Sequence, residues 1–377
     1  MSQTLSDIIN SYDAAASLER AATIPASWYT EPRIFDLERQ TVFAQSWQRV
    51  GRVDQLAQSG QYVTATIADE PVVVVRGSDA VLRGFFNVCR HHAAAVMTEA
   101  EGTAQSLRCP YHGWTYSLEG ALKGTPDFTG VCDFDRAANG LVPLETSLWG
   151  QWIFARISRA AHHATSVAEH ELNKQIGALA LDRLHWMERR HYHLECNWKV
   201  FVDNYLDGGY HVPHLHRGLD SVLDYSNYRI SNGERFCLQS SPMTSEGAEP
   251  ETGAVRQGRQ ALYYWIYPNF MINWYEGAMD TNLVIPRGID RTEVIFDFYF
   301  ADVSPDARAR NQASIDVGER IQHEDEAICR SVQQGLNSRA YHAGRLSVRR
   351  EAGEHLFHRL LHADLQAGLN QSMKSSA

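Results

Sequence analysis

Residues 197–216, NWKVFVDNYLDGGYHVPHLH, constrain this 377-residue chain more than any other stretch. His211 and His216 are separated by four residues, with Asp203 and Asp207 just upstream. Two neutral imidazoles and one carboxylate, with coordination positions left open, make the facial donor set of a non-haem iron(II) site. The pair supplies the imidazoles; the carboxylate is either local or comes from elsewhere. A helix is expected to end near His211 because Pro213 pushes the residue before it out of the α region. Five residues on one helix set two side chains about 140° apart, so the chain must turn after Pro213 for both rings to meet one ion. In a chain with 17 histidines such a pair is often accidental. A second metal signature gives it weight.

Cys89, Arg90 and His91 form a C-x-H arm, and Cys109, Pro110, Tyr111 and His112 a C-x-x-H arm seventeen residues further on. Each arm carries one thiol and one imidazole. A zinc site of two Cys and two His is one reading. Another is a 2Fe–2S centre in which two thiolates hold one iron and two imidazoles the other. Zinc-finger spacing normally puts both cysteines on one arm. Here each arm can reach across both irons, and Gly113, Trp114 and the β-rich surroundings favour the iron–sulfur reading.

The rest of the chain reads as a host for these two sites. Residues 1–41 look helical with polar faces, broken by Pro25 and Pro32. Residues 42–158 are expected to form a mostly antiparallel β domain, with strands at 64–67, 72–76, 82–88 and 151–157. Residues 159–377 would hold the histidine pair. In that part a polar helix is expected over 160–180, a loop-rich stretch over 220–260 and strands over 261–302. A helix follows from Ser304 as N-cap and Pro305 as its first residue to about Gly335. On it Ile321, Ile328, Val332 and Leu336 make a stripe at helical spacing, and Asp325 falls on that stripe. A carboxylate facing a core is rarely left without a partner or a metal. Glu324 and Glu326 point about 100° to either side and read as solvated. The last eight residues, NQSMKSSA, are expected to lack regular structure.

Apolar residues make up 44% and net charge is −10, so nucleic acid is not an expected partner, since phosphate neutralisation needs a basic surface. An acidic surface suits a cationic small molecule. No run of 18 apolar residues occurs, so no membrane span is expected. The N-terminus has no signal-peptide pattern. Six cysteines in so long a chain point to a reducing compartment, with cytoplasm as the expectation.

The segments CRHHAAAV and CPYHGWTYSLEG resemble the Rieske motif of ring-hydroxylating-type oxygenase large subunits. In that family Arg-Gly often stands where this chain has His92 and Ala93. The likeness runs from about Tyr29 to Leu361. It implies an α+β fold: a mostly antiparallel β Rieske domain inserted in a helix-grip catalytic domain of antiparallel sheet and helices. By resemblance, Cys89, His91, Cys109 and His112 would hold the 2Fe–2S cluster. His211 and His216, which follow the Asn197, Trp198, Lys199 segment, would hold a mononuclear Fe(II). The third ligand would be Asp325, the Asp of the family's EDxxxC segment, which here ends at Cys329; Arg330 stands where relatives often carry Glu. His214 is a competing ligand read instead as second-layer or substrate-facing. Asp207 matches the acidic residue that links the iron histidine to a Rieske histidine of the neighbouring subunit, one residue further from His211 because of Gly208 and Gly209. The family's members are trimers fed by a separate reductase from NAD(P)H. They use dioxygen to hydroxylate a small molecule.

The segments YPNFMINWY (267–275), MDTNLVIP (279–286) and SVQQGLNSRAYHAGR (331–345) are similar to the choline monooxygenase and bacterial quaternary-ammonium branch. A quaternary ammonium is held by aromatic faces through cation–π attraction. Tyr267, Phe270, Trp274 and Tyr275, with Trp265, are candidates for those faces, with Glu276 or Asp280 nearby. Strand alternation allows at most half of them in one pocket. The rival readings are a hydroxylase of aromatic rings and a Rieske electron carrier.

Overall fold

The computed structural model describes residues 3–157, 170–177 and 179–375. They fall into two compact units, Phe43–Glu169 and the combination of Met1–Val42 with His170–Ala377.

The Phe43–Glu169 unit is built almost entirely of strands: β1 (Gln48–Arg52), β2 (Gln61–Ile67), β3 (Glu70–Arg76), β4 (Leu82–Phe86), β5 (Glu101–Thr103), β6 (Leu107–Arg108), β7 (Thr115–Tyr116), β8 (Leu122–Gly124), β9 (Pro143–Trp149) and β10 (Trp152–Arg156). Seven of them form a sheet in the order β1-β10-β9-β4-β3-β2-β5, and β6-β7-β8 form a second. Strand β3 shows why its sequence does not alternate. Val73 and Val75 pack against Cys89, Cys109, Trp114 and Tyr116, while Val72 and Val74 pack into clusters of their own. A strand covered on both faces reads as an unbroken apolar run.

The larger unit has a seven-stranded antiparallel sheet in the order β11-β17-β16-β15-β14-β13-β12. Its strands are β11 (His185–Leu194), β12 (Arg229–Asn232), β13 (Phe236–Pro242), β14 (Gln260–Ile266), β15 (Phe270–Tyr275), β16 (Ala278–Gly288) and β17 (Arg291–Phe300). Its helices are α1 (Leu5–Asn10), α2 (Ala26–Thr30), α3 (Pro32–Glu38), α4 (His170–Gly177), α5 (Trp198–Leu206), α6 (Val212–Leu215), α7 (Arg217–Asp220), α8 (Pro250–Val255), α9 (Arg308–Leu336) and α10 (Ala352–Ser375).

Several expectations change here. Pro32 opens α3 rather than breaking a helix, and the N-terminal helices are not polar all round: Ile8, Ile9, Trp28, Ile34 and Leu37 are buried. Of the expected helix over 160–180, α4 is observed; 158–169 lie outside the described residues. The stretch 220–260 contains β12, β13 and α8. Strand β13 turns small polar residues such as Gln239 and Ser241 inward, which hides its alternation. Helix α10 continues to Ser375, so only the last two of the final eight residues fall outside regular, described structure.

Helix α9 is entered as expected, through Ser304 and Pro305. Its apolar stripe is not its buried face, however. Ile328 is 39% and Val332 44% exposed. The buried side runs through Asn311, Ser314, Ile315, Gly318, Gln322, Cys329, Gln333 and Leu336, one residue out of phase with the stripe. Asp325 sits on this largely polar face, between Gln322 and Cys329.

Helix α5 is the most enclosed of the helices around the site. Asn197 caps it by accepting from Lys199 N–H at 3.1 Å. The Asn197 amide also donates to the carbonyls of Tyr29 and Ile289. Lys199 and Glu38 are fully buried, their Nζ and Oε1 2.6 Å apart, and Trp198 Nε1 donates to the other Glu38 oxygen at 2.8 Å. Removing one member of a buried pair leaves an uncompensated charge. Lys199→Met is therefore expected to lower the unfolding free energy by about 3–5 kcal/mol. The double variant Glu38→Gln/Lys199→Met should recover most of that loss, as read by denaturant titration of the full chain.

Candidate metal centres

The first centre lies on two loops of the β unit that have the same backbone design. Between β4 and β5, Ala93 N–H returns to the Cys89 carbonyl (3.0 Å) and Cys89 N–H to the Ala94 carbonyl (2.8 Å). Between β6 and β7, Gly113 N–H returns to the Cys109 carbonyl (3.1 Å) and Cys109 N–H to the Trp114 carbonyl (2.9 Å). Each loop closes with a left-handed residue, Ala93 at φ +60° and Gly113 at φ +72°. The two thiols are buried against each other, and burial raises that of Cys109. Tyr116 Oη lies 3.4 Å from Cys89 Sγ. The His91 and His112 rings meet at 4.8 Å, and His91 stacks on Trp114 at 4.6 Å. His92 joins them, 4.1 Å from His91.

This arrangement separates the zinc and iron–sulfur readings. Four ligands of one zinc ion lie within about 4 Å of one another, given bond lengths near 2.0–2.3 Å. Here the thiols pair with each other and the imidazoles pair with each other. Among the described residues, the ligand group that forms in this unit is His91, His92 and His112, without either sulfur. That division fits a centre with two thiolates on one iron and two imidazoles on the other. The His91 Nδ1 is buried with no hydrogen-bond partner, as a nitrogen meant for a metal would be.

The second centre begins where α5 ends. Gly208 (φ +70°) and Gly209 (φ +67°) reverse the chain. A Cβ on Gly208 would sit 2.0 Å from the Arg350 carbonyl oxygen, so no other residue fits. The reversal thus precedes His211. Pro213 lies in the first turn of α6, where its missing N–H costs nothing. His216, at φ −108° and ψ 71°, separates α6 from α7. The two imidazoles come to 4.9 Å, nearly perpendicular.

Asp325 completes the group, its Oδ1 3.1 Å from His216 Nε2 and 3.8 Å from His211 Nε2. The other ring nitrogens are each held by a carboxylate. His211 Nδ1 lies 2.6 Å from Asp207 Oδ2, and His216 Nδ1 lies 2.6 Å from Glu324 Oε2. Asp207 also accepts from the backbone N–H groups of Tyr210 and His211. Glu324 is therefore not a solvated residue. Asn204 donates to Asp325 Oδ1 at 2.8 Å. Two rings with Nδ1 tied to carboxylates and Nε2 turned to a common point form the pattern of imidazoles oriented for a metal. His214 is exposed and stays out of the group.

Beside this group lies a cavity of about 110 Å³. Its floor is one row across the sheet: Gln239 pairs with Tyr263, Tyr263 with Asn273, and Asn273 with Asp280. Tyr275 lines it, being on the same face of β15 as Asn273; Tyr205, Tyr228 and Phe296 add further faces. Tyr267, Phe270 and Trp274 do not line it. Phe270 and Trp274 are on the opposite face of β15, and Tyr267 donates its hydroxyl to Asp364 at 2.7 Å. Glu276 is exposed in the turn after β15. Asp280 is 6% exposed. Its Oδ2 accepts from Asn273 and Asn282 at 2.7 and 3.2 Å, and its Oδ1 accepts no hydrogen bond from the described residues. Burial raises its carboxyl above the usual range, partly offset by Arg256. Arg256 is turned to Ser314 and lies 4.7 Å over the Tyr275 ring, without pairing with Asp280. Sequence reasoning missed Asn204 and the Tyr205 and Tyr228 rings, and it read Glu324 as solvated. Of these, Asn204 was findable as an amide between Asp203 and Tyr205, one turn from Phe201 on a mostly buried helix.

Comparison with known proteins agrees with both centres. Residues 46–135 match the Rieske [2Fe-2S] domain, and residues 181–367 match the ring hydroxylating alpha subunit (catalytic domain). The chain belongs to the Rieske-type oxygenases and is a large subunit of that family, an oxidoreductase with a 2Fe–2S cluster and a mononuclear iron. It is 39% identical to the chloroplastic choline monooxygenase of Arabidopsis thaliana over 96% of this chain and 87% of that protein. It is 31% identical to the carnitine monooxygenase oxygenase subunit of Escherichia coli (strain K12), covering 90% and 91% of the two chains. The solved quaternary ammonium Rieske monooxygenase CntA, in complex with L-carnitine, superposes with TM-score 0.79 at 28% identity over 94% of this chain and 97% of that one. The chloroplastic relatives overturn the expectation of a cytoplasmic protein. Unpaired cysteines report reducing surroundings and do not distinguish one reducing compartment from another. Among the described residues no helix is long and apolar enough to cross a membrane.

The loop comparison yields a stability prediction. A left-handed alanine costs about 1–2 kcal/mol that glycine does not. Ala93→Gly should raise the free energy of unfolding of the β unit by about 1 kcal/mol, with the cluster's visible spectrum retained.

Proposed function

We propose that this protein is a monooxygenase that hydroxylates a small quaternary ammonium compound of the choline type. Cys89, His91, Cys109 and His112 hold the 2Fe–2S cluster, and His211, His216 and Asp325 hold the Fe(II). When bound, the two metal centres supply electron storage and the activation of dioxygen. The chain's own residues bind, orient and select. Asp207 and Glu324 fix the two imidazoles through Nδ1, which sets their tautomer and raises their basicity toward the metal. Asp207 also serves as the hydrogen-bonded link toward the cluster of a neighbouring subunit in a trimer, with electrons entering from a separate reductase. The inter-subunit electron transfer described for a quaternary ammonium Rieske monooxygenase is consistent with this arrangement.

The substrate class rests on Asp280. It is a buried carboxylate with one free oxygen and no ion-pair partner among the described residues, set in an aromatic pocket beside the iron group. Leaving such a charge uncompensated is costly, and a cationic ligand removes the cost. Each aromatic face adds about 0.5–2 kcal/mol of cation–π attraction. The relatives named for choline and carnitine are consistent with such a ligand.

The following measurements test this reading. Cys109→Ala should bleach the protein while leaving one iron per chain, whereas His216→Ala should lose that iron and keep the cluster spectrum. Glu324→Gln should weaken iron binding by about 10–100-fold. Asp207→Asn, with both metals present, should turn over far more slowly; unimpaired turnover in Asp207→Ala would move the electron path elsewhere. Substrate-triggered oxygen uptake should favour choline-type ammonium compounds over the uncharged carbon isostere of choline and over benzoate, a preference that Asp280→Asn abolishes. The affinity for the cation should fall as pH is lowered through the raised pKa of Asp280, because protonation removes the negative charge, while affinity for the isostere should not fall. Turnover of benzoate alone would replace the ammonium pocket with a ring-hydroxylating one.

A further inference from the structure

A second cavity, of about 210 Å³, shares Asn204 with the iron pocket. Its rim includes the exposed side chains of Ile328, Val332 and Tyr341, so it reaches the surface of the unit. Asp203 and Glu354 line it. Glu354 is 6% exposed and accepts no hydrogen bond from the described residues. His358 Nε2 lies 3.7 Å from its Oε1. The same nitrogen lies 3.0 Å from Asp203 Oδ1, and Tyr29 donates its hydroxyl to Asp203 Oδ2 at 2.5 Å. No lysine or arginine of the described residues forms an ion pair with either carboxylate.

An unpartnered buried carboxylate is costly as an anion and much less so as an acid. The carboxylates around Glu354 favour the acid: Asp203 from α5, Asp207 just past that helix and Glu351 beside it in the chain. Tyr29 from α2, Tyr12, Cys329 from α9, Tyr341 and His358 are the other titratable groups around it. Burial first, then the charges of Asp203, Glu351 and Asp207, hold the Glu354 carboxyl well above the usual range. His358 Nε2 stands between the two carboxylates, hydrogen-bonded to Asp203 and 3.7 Å from Glu354, so a small approach of Glu354 and His358 brings three exchangeable groups into one line beside the cavity. Asn204 then forms the partition to the iron pocket, donating to Asp325.

The proposed reaction needs such a supply. Converting a C–H bond and dioxygen into an alcohol and water consumes two electrons and two protons. One oxygen atom enters the C–H bond and the other leaves as water. The electrons come from the external donor through the cluster, and the protons come from solvent. Inside the iron pocket His211 and His216 have both ring nitrogens committed, and Asp325 faces the metal position, so none is free to carry protons.

We propose that Glu354, with His358 and Asp203, takes up protons from the second cavity and holds them for delivery past Asn204 to the iron pocket. This rests on the oxygenase reading above. Glu354 is a proton-holding group and touches neither substrate nor metal.

The test uses the full, metal-replete protein. The resting wild type should show the infrared C=O stretch of a buried protonated carboxyl, shifted in heavy water and missing in Glu354→Gln. This measurement needs no substrate. Glu354→Gln should keep its iron content and its KM, while kcat falls about a hundredfold, the solvent isotope effect grows, and oxygen is consumed without matching product. Glu354→Asp should restore much of the rate. If Glu354→Gln folds poorly, His358→Gln carries the same kinetic expectation. Absence of the carboxyl band, or an unchanged rate and isotope effect in a metal-replete variant, overturns the proposal. So does tight binding of Mn(II) at one extra site per chain that Glu354→Gln removes, because a cation would then occupy the proton's place. A wild type that hydroxylates none of the ammonium compounds defeats the substrate reading, and the infrared band still decides whether Glu354 holds a proton.

Discussion

The clamp on His216 is the constraint from which the rest of the iron pocket follows. One ring is held by two consecutive residues of α9, Glu324 at Nδ1 and Asp325 at Nε2. A one-residue slip of α9 would rotate both carboxylates away by about 100°. The rotation of this helix must therefore be fixed closely, and polar contacts fix it. Asn311 donates to the Asp302 carbonyl near one end, and Gln333 accepts from Asn197 N–H near the other. Ser314 takes the Arg256 guanidinium between them. Apolar packing tolerates small rotations; a set of directional hydrogen bonds does not. Because Asn197 also caps α5, one amide links the phase of α9 to the start of the helix that leads to His211.

Much of this was legible from sequence, and what was not has physical reasons. The Cys and His arms could be read because ligand spacing is local, and the structure adds that sulfurs and imidazoles pair separately. Asp325 was found for a partly mistaken reason. The stripe of Ile321, Ile328, Val332 and Leu336 implied a core face, but the buried face is the polar one beside it. Periodicity arguments count apolar residues, so a helix buried through amides and hydroxyls gives a misleading phase. Glu324 looked solvated because its partner is 108 residues away in the chain. The turn was placed at Pro213 instead of Gly208, since proline is visible as a breaker, whereas the close approach of the Arg350 carbonyl is tertiary. Of Tyr267, Phe270, Trp274 and Tyr275, Tyr275 alone lines the pocket. Which tyrosines share a face depends on strand register, and no single strand carries that information.

The pocket's charge distribution is set by oriented dipoles rather than by an ion pair. Tyr205 donates to the Asn273 carbonyl oxygen at 2.9 Å, which turns the Asn273 amide nitrogen toward Asp280. A hydroxyl, an amide and a carboxylate thus line up before any ligand arrives. Arg256, the nearest cation, is occupied by Ser314 and stacked on Tyr275, so it steadies the aromatic wall while leaving Asp280 available.

The pocket's two sides have different mutational freedom. The groups turned toward the proposed iron position stand after α5, between α6 and α7, and on α9, where each is tied to a turn or a helix phase and to partners across the unit. The ligand-facing side chains of the floor stand on β13 to β16, whose backbone ladder is indifferent to what those side chains are. Gln239, Asn273 and Asp280 can therefore be exchanged as a hydrogen-bonded set for a different ligand without moving the helices behind them. On this view the floor row is the replaceable part of the pocket, and the helices behind it are the fixed part.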